Sequence, residues 1–504
     1  MGKLESALGI SLAQECATSG FAGKEGQSLY LHVARSDDAT KPAKQILLVG
    51  LGHGMGEKGA PSALQLRNYG LQIASSMKWN SLESLGLLVV GECTKAGGQG
   101  EIEKKELNAL ALDTAETCAV VSAILARAEP DLRFRSSRAL ASSTDSRKKN
   151  DVAIYVAGGD RNGLLRGSAV ARGMRTALEL VNAPPNYVNP TTLAAFAERI
   201  ASTSELLACK TLNAEQCSAF GEHGMQLFLG VGSGSVNPPQ LIHLRYTSPE
   251  FLGDGNAEPS RKIAVVGKGV TFDSGGYNLK VGEGSMIDVM KFDMGGAAAT
   301  LGAAETILAL QPPGVQIDFI VPACENLISG GAMLPGSVLR ASDGTTVEVN
   351  NTDAEGRLAL ADALLYAQDQ GAEEIIDVAT LTGACIIALG DETAGVFAHS
   401  ERFAKRLLES AAAAGESVWR MPLQHAYAKQ LKSDIADMKN TGTRAGGSIT
   451  AALFLHRFIN HEKVSWAHVD IAGPVWDAAK GTGTGFGVAT LVHHILGGGQ
   501  TSSK

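Results

Sequence analysis

Ile263-Ala264-Val265-Val266-Gly267-Lys268-Gly269-Val270-Thr271-Phe272-Asp273-Ser274-Gly275-Gly276 decides the class of this protein. Ile263 to Val266 is a short unbroken apolar run, the pattern of a strand buried on both faces. Gly267 ends the strand, so Lys268 and Asp273 fall just beyond its carboxyl end. Open α/β sheets place their ligands at that edge. The glycines around Asp273 allow backbone to approach an ion without interference from a Cβ.

The same alternation extends outward along the chain. Ile317 to Val321, Ile375 to Ala379 and Trp466 to Ile471 are strand-like, while Gly295 to Leu310, Leu358 to Gln368 and Phe403 to Ala414 carry helical patterns. Short β-branched runs separated by longer helical stretches indicate an α/β protein. In the first third, Ile46 to Val49, Leu87 to Val90 and Val152 to Val156 read as strands, and Glu106 to Ala128 as a helix. Arg135 to Asn150, rich in serine and basic residues, reads as an exposed loop. A helix over Gly163 to Asn182 is stopped by Pro184 and Pro185. The expected organisation is a smaller N-terminal α/β domain over 1–165, a connection over 166–185, and a larger α/β domain with a mixed central sheet over 186–504.

Composition narrows the function classes. The 504 residues are 44% hydrophobic and 19% charged, which excludes wholesale disorder and a multi-span membrane protein. A net charge of −8 offers no basic field to attract nucleic acid. Seven scattered cysteines without a C-x-x-C pair argue against a disulfide framework and for a reducing compartment. With no signal peptide, transit-peptide or membrane-span pattern, the expected location is cytoplasmic.

Several common signatures fail. Gly54-Met55-Gly56-Glu57-Lys58-Gly59 has dinucleotide-loop spacing, but Gly50 to His53 separate it from the preceding strand and no acidic partner follows at the required distance. No G-x-S-x-G elbow occurs. His461-Glu462-Lys463-Val464-Ser465 begins like a zinc-peptidase helix but lacks the second histidine.

Two polar clusters remain. The first runs from Lys268 and Asp273 to Lys280 and on to Asp293, in Met290-Lys291-Phe292-Asp293. The second is Asn350-Asn351-Thr352-Asp353-Ala354-Glu355-Gly356-Arg357-Leu358, reached through an Asp343-Gly344 hairpin turn. An extended segment would project Asp353 and Glu355 to the same side, just ahead of a helix. Taken singly, these acids can serve as helix N-terminal charges, and Asp293 as a cap. Together, Asp273, Asp293, Asp353 and Glu355 carry four negative charges that would repel unless compensated. Two divalent cations supply the balance, and an oxygen-rich site suits Zn, Mn or Mg.

Asn351-Thr352-Asp353-Ala354-Glu355-Gly356-Arg357-Leu358 resembles the signature of the M17 leucyl aminopeptidases, the cytosol aminopeptidase family. The 267–280 and 290–296 segments and Ala379-Thr380-Leu381-Thr382-Gly383-Ala384 are similar to that family in the same order. Asn182-Ala183-Pro184-Pro185-Asn186-Tyr187 extends the likeness to the connection between domains.

The resemblance implies that Lys268, Asp273, Asp293, Asp353 and Glu355 hold two metal ions. These would be Zn or Mn, with Co and Mg as further candidates. Lys268 would bind as a neutral amine, Asp273 and Glu355 would bridge the ions, and a bridging hydroxide would attack the peptide. Lys280 and Arg357 match the catalytic positions, Arg357 holding bicarbonate as a proton relay. Met290, Thr380, Leu381, Gly383 and Ala472 match substrate-binding positions, favouring Leu or other apolar first residues of peptides with a free N-terminus. The resemblance also implies a homohexamer, while the net charge and the lack of a membrane-span pattern argue against nucleic-acid and membrane partners. Two other readings compete: a scaffold with a vestigial site, which the intact ligand set opposes, and a two-metal phosphoesterase or amidase. Phosphoesterase sites commonly use histidines that both clusters lack.

Overall fold

The computed structural model describes residues 160–252, 258–282 and 284–497, together with Ser62 and six strands and two helices of the first 157 residues. The glycine-rich run 54–59 and the loop 135–150 lie outside the described residues. The chain divides into two compact units, one of residues 1–171 with 413–415 and one of 172–412 with 416–504.

The first unit contains β1 (Ser28–His32), β2 (Gln45–Val49), β3 (Ser84–Leu88), β4 (Val90–Thr94), β5 (Lys105–Ala109) and β6 (Ala153–Ala157). β1 pairs with β2 and β4 with β5 in antiparallel fashion, while β3 and β6 are parallel. Before residue 160 the described helices are Ala63–Ser76 and Thr114–Ala126, the second buried from Thr117 to Ile124 without a break. The single helix expected over 106–128 is therefore a strand followed by a helix. Lys105 to Ala109 has good helix formers, but its pairing with β4 overrides that local preference.

The second unit is built on one mixed sheet. Its strands include β7 (Leu207–Leu212), β8 (Gln240–Thr247), β9 (Arg261–Gly267), β10 (Gly269–Asp273) and β11 (Val315–Asn326). A hairpin, β12 (Ser337–Arg340) and β13 (Thr346–Val349), stands apart from it. β14 (Glu374–Ala379), β15 (Ala394–Ala398), β16 (Val418–Arg420), β17 (Met438–Lys439) and β18 (Ser465–Asp470) follow. The order across the sheet is β16-β15-β18-β14-β9-β11-β8-β7, with β10 added to β11. β18, β14, β9 and β11 run parallel at its centre, and β15 and β8 flank them antiparallel.

Central position explains the apolar reading of β9: Ile263 to Val266 are all fully buried. Each such Ile or Val side chain contributes roughly 1.5–3 kcal/mol, a reserve against the polar groups gathered at the strand ends. Helix Gly295–Leu310 is Gly- and Ala-rich and buried over nearly its whole length against this sheet. The Asp343-Gly344 turn joins β12 to β13 as the sequence predicts, with Arg340 opposite Thr346. The described cysteines, Cys118, Cys209, Cys217, Cys324 and Cys385, are free thiols. Among the described residues no helix is long and apolar enough to cross a membrane.

Candidate active site

Three parallel strands deliver the site to one edge of the sheet. Lys268 follows β9, Thr380 and Leu381 follow β14, and Asp470 ends β18. Asp273 ends β10, where Gly275, at φ +86°, turns back so that its N–H donates to Asp273 Oδ1 at 2.8 Å. An L-residue is strained in that conformation.

Lys268 Nζ lies 2.8 Å from Asp293 Oδ2 and 2.9 Å from Glu355 Oε1. It also donates to the Thr380 carbonyl at 3.0 Å. Lys280 Nζ lies 2.9 Å from Asp273 and 2.6 Å from Asp353. Asp273, Asp293 and Glu355 are buried, with carboxylate oxygens within 4.8 Å of one another. Asp353 is the outer carboxylate, its side chain 32% exposed against 2% for Glu355. The two ammonium groups offset only half of the four carboxylate charges.

The electrostatics follow from that crowding. Burial, then the Glu355 charge, raises Asp273 to about 7 and pushes Asp293 well above the carboxylate range against the pull of Lys268. Burial and Glu355 also raise Asp353. Burial opposes the Glu355 charge, but Lys268 and Lys280 outweigh it and lower that group. Burial likewise opposes the Lys268 charge, and Asp293, Glu355 and Asp273 more than reverse it, so the ammonium form is favoured.

Two expectations about local geometry change. Residues 351–354 form a turn rather than an extended segment, with the Ala354 N–H donating to the Asn351 carbonyl. The Asn351 side chain accepts the Asp353 N–H at 2.9 Å, and this closes the turn. Helix Gly356–Asp369 starts at once, with Glu355 as its N-cap residue but without a side-chain capping bond. Asp293 does not cap the helix that follows it either; its carboxylate accepts from Lys268 and, at 2.8 Å, from Thr380 Oγ1.

Other expected residues are distributed around this centre. Arg357 is buried, donates to the Asn440 carbonyl at 2.8 Å, and has no partner at Nε. Burial lowers its pKa to about 10. The Met290 carbonyl accepts the Asp293 N–H. Asp470 Oδ1 accepts the N–H groups of Leu381 at 3.1 Å and Ala472 at 3.2 Å. The Leu381 N–H is therefore already engaged. Gly383 is exposed at the start of helix Gly383–Leu389, outside this network.

Three supporting residues were not anticipated. Asn326 donates to Asp273 Oδ1 at 2.8 Å and to the Thr352 carbonyl at 3.0 Å, joining the two clusters. Asn440 holds Arg357 and donates to the Asn351 and Ala354 carbonyls. Asp470 fastens the Leu381 loop, accepting also from Thr382 Oγ1 at 2.7 Å. A polar residue ending an apolar strand was the available signal for Asn326 and Asp470. Asn440, remote in sequence, offered none.

Comparisons with known proteins place the chain in a family. Residues 175–492 match the cytosol aminopeptidase family, catalytic domain. Leucine aminopeptidase 1 of Arabidopsis thaliana is 43% identical, over 98% of this chain and 88% of that protein. A probable cytosol aminopeptidase of Thermosynechococcus vestitus is also 43% identical, over 96% and 90%. Leucine aminopeptidase 2, chloroplastic, of Oryza sativa subsp. japonica is 44% identical, over 98% and 77%. A solved structure of a tomato leucine aminopeptidase carrying a lysine-to-glutamate substitution superposes with a TM-score of 0.78 at 38% identity, covering 98% of this chain and 88% of that one.

The cytoplasmic expectation is corrected by these relatives. Similar proteins from Oryza sativa, Arabidopsis thaliana and Solanum tuberosum are named as chloroplastic, so composition and thiol usage do not justify the cytosol as a default. Free thiols indicate a reducing environment, a property that does not single out one compartment. Family match, relatives and fold converge: the chain belongs to the cytosol aminopeptidase family and is a metal-dependent exopeptidase that removes residues from the N-termini of peptides.

Proposed function

We propose that Lys268, Asp273, Asp293, Asp353 and Glu355 hold two divalent ions, Zn or Mn foremost, and that the chain releases Leu or other apolar residues from free N-termini. The observation that carries this reading is the buried triad Asp273, Asp293 and Glu355, with its oxygens within 4.8 Å. Fit is further supported by Asp293 Oδ2 and Asp353 Oδ1, which are buried and accept no well-directed hydrogen bond although lysines stand beside them. Oxygen atoms so placed have lone pairs to offer a cation.

When bound, the two ions supply Lewis-acid activation of a water molecule and of the scissile carbonyl. Lys268 would join the ligand set as the neutral amine, giving up the proton that its carboxylate neighbours favour. Asp353, the outer carboxylate, would serve the more exchangeable position. Lys280 stays charged and donates to the oxygen on which negative charge develops. Asp470 holds Leu381 and Ala472 against the site, so the backbone there is positioned before substrate arrives. Arg357 is the proposed seat of a bicarbonate proton acceptor, because its planar fork pairs with a planar anion and its buried Nε lacks a partner. Met290, Thr380, Gly383 and Ala472 form the proposed first-residue pocket. Thr380 is buried and spends its hydroxyl on Asp293. The proposed assembly is a homohexamer, as the motif resemblance implies.

The test is hydrolysis of a leucyl peptide with and without an N-terminal acetyl group, before and after chelation. Cleavage of the free-amine peptide alone, lost on chelation and restored by Mn or Zn, is expected. Equal cleavage of the blocked peptide contradicts the proposal.

A further inference from the structure

At the opposite edge of the sheet, four imidazoles converge from separate segments. β15 runs antiparallel to β18, with Gly395 opposite Asp470 and Ala398 opposite Ala467. The end of β15 thus points away from the edge that carries Asp470. His399 follows β15, and His425 opens the 3-10 turn His425–Leu431. His456 closes helix Gly447–His456, and His461 lies in the connection to β18. Ring centroids are 5.0 Å apart for His399 and His461, 5.3 Å for His425 and His456, and 3.8 Å for His456 and His461. One nitrogen each from His399, His456 and His461 fall within 4.8 Å of one another. The chain has only 11 histidines, so four in one place is a marked concentration.

We propose that this cluster is a second metal site, taking Zn²⁺ or Cu²⁺ through His399, His456 and His461, with His425 able to supply a fourth nitrogen. Imidazole nitrogens bind zinc at about 2.0–2.1 Å, which puts neighbouring ligands about 3.3 Å apart around a tetrahedral ion. Rotation of the side chains would have to close the remaining distance. His399 and His456 are half-buried while His425 and His461 are exposed, so the site has a fixed floor and an open rim. Nδ1 of His399 is buried without a hydrogen-bond partner, a cost that coordination relieves.

The scaffold holds the donors in place. His456 packs against the buried Trp466 with ring centroids 5.7 Å apart. The Asn460 N–H donates to Gln368 at 2.7 Å, and the Asn460 carbonyl accepts from the N–H groups of Lys463 and Val464, fixing the turn that carries His461. An all-imidazole set selects Zn²⁺, Cu²⁺ or Ni²⁺, whereas the carboxylate-rich active site suits harder ions as well. The two sites therefore differ in metal preference. Linear spacing concealed this one, because His461 finds its partners on other segments and not four residues away.

Cu²⁺ titration of the full-length protein, followed by electron paramagnetic resonance, tests the proposal. Beyond any Cu²⁺ taken by the carboxylate site, the wild-type chain should bind one with nitrogen couplings from imidazole; Asp273→Asn, which disables the carboxylate site, should retain that signal and is the background for the histidine variants. A His399→Asn/His456→Asn double variant should bind it at least about tenfold more weakly, as loss of direct ligands exceeds the loss of their supporting partners. His461→Asn, at the exposed rim, provides a variant with little risk to folding and should weaken binding while leaving leucyl-peptide hydrolysis intact. Absence of a nitrogen-coupled signal in the wild type overturns the proposal, as does undiminished affinity in the histidine variants. Neither outcome depends on whether the carboxylate site holds metal.

Discussion

Lys268 Nζ lies 2.9 Å from Glu355, and its side chain crosses the bare α-carbon of Gly356, where a Cβ would stand 2.4 Å from Lys268 Cε. The signature glycine is thus the floor on which the lysine rests. Gly356→Ala should displace the amine by a fraction of an ångström or more and lower kcat/KM by about 100-fold. Metal content by mass spectrometry should fall with it. Normal activity in this variant would show that Lys268 does not need its observed position.

Lys280 lies 2.9 Å from Asp273 and 2.6 Å from Asp353, and the proposed function has it favour charge that appears only as the reaction proceeds. Lys280→Met should reduce kcat by about 10²–10³-fold with a much smaller change in KM. A change confined to KM would assign Lys280 to ground-state binding instead.

Asp470 accepts from Leu381, Thr382 and Ala472, and under the proposed function it positions substrate through the loop it fastens. Asp470→Ala leaves those buried donors without an acceptor and should destabilise the unit by roughly 1–3 kcal/mol. Denaturant unfolding measures that loss. Steady-state kinetics should show kcat falling more than KM rises, while metal content holds; a purely structural role would leave kcat of the folded fraction unchanged.

These positioning groups separate what was legible in the sequence from what was not. β9, β14 and β18 were recognisable because central parallel strands are apolar on both faces, and Lys268, Asp273 and Asp293 stood out at glycine-rich ends. The hairpin at Gly344 was equally readable from its turn chemistry. The local shape around Asp353 was not: Asn351 closes a turn through its side chain, and spacing does not distinguish that from extension. Lys105 to Ala109 became a strand through pairing with β4, a tertiary contact that overrode propensity. Asn440 and the four clustered histidines were invisible for a related reason, since each acts through partners distant along the chain.

Acid stability should depend on Glu374, which joins Arg261 at 2.8 Å and Arg406 at 2.6 Å. Burial opposes its charge, but His494, Arg261 and Arg406 hold the carboxyl well below its ordinary value of 4.5. Because the folded-state value is depressed, the stabilisation is present above the unfolded value and is lost as pH falls through the folded one. The Tm difference between wild type and Glu374→Gln should be largest near neutral pH and shrink below about pH 4.5. A difference that grows on acidification would reverse the assigned sign.

Anomalous diffraction at the manganese edge, from catalytically active crystals soaked in Mn²⁺, tests the central claim most directly. Two peaks about 3.5–4 Å apart among Lys268, Asp273, Asp293, Asp353 and Glu355 are predicted. Active crystals with no manganese at these side chains, or with a single ion lying elsewhere, would contradict the account.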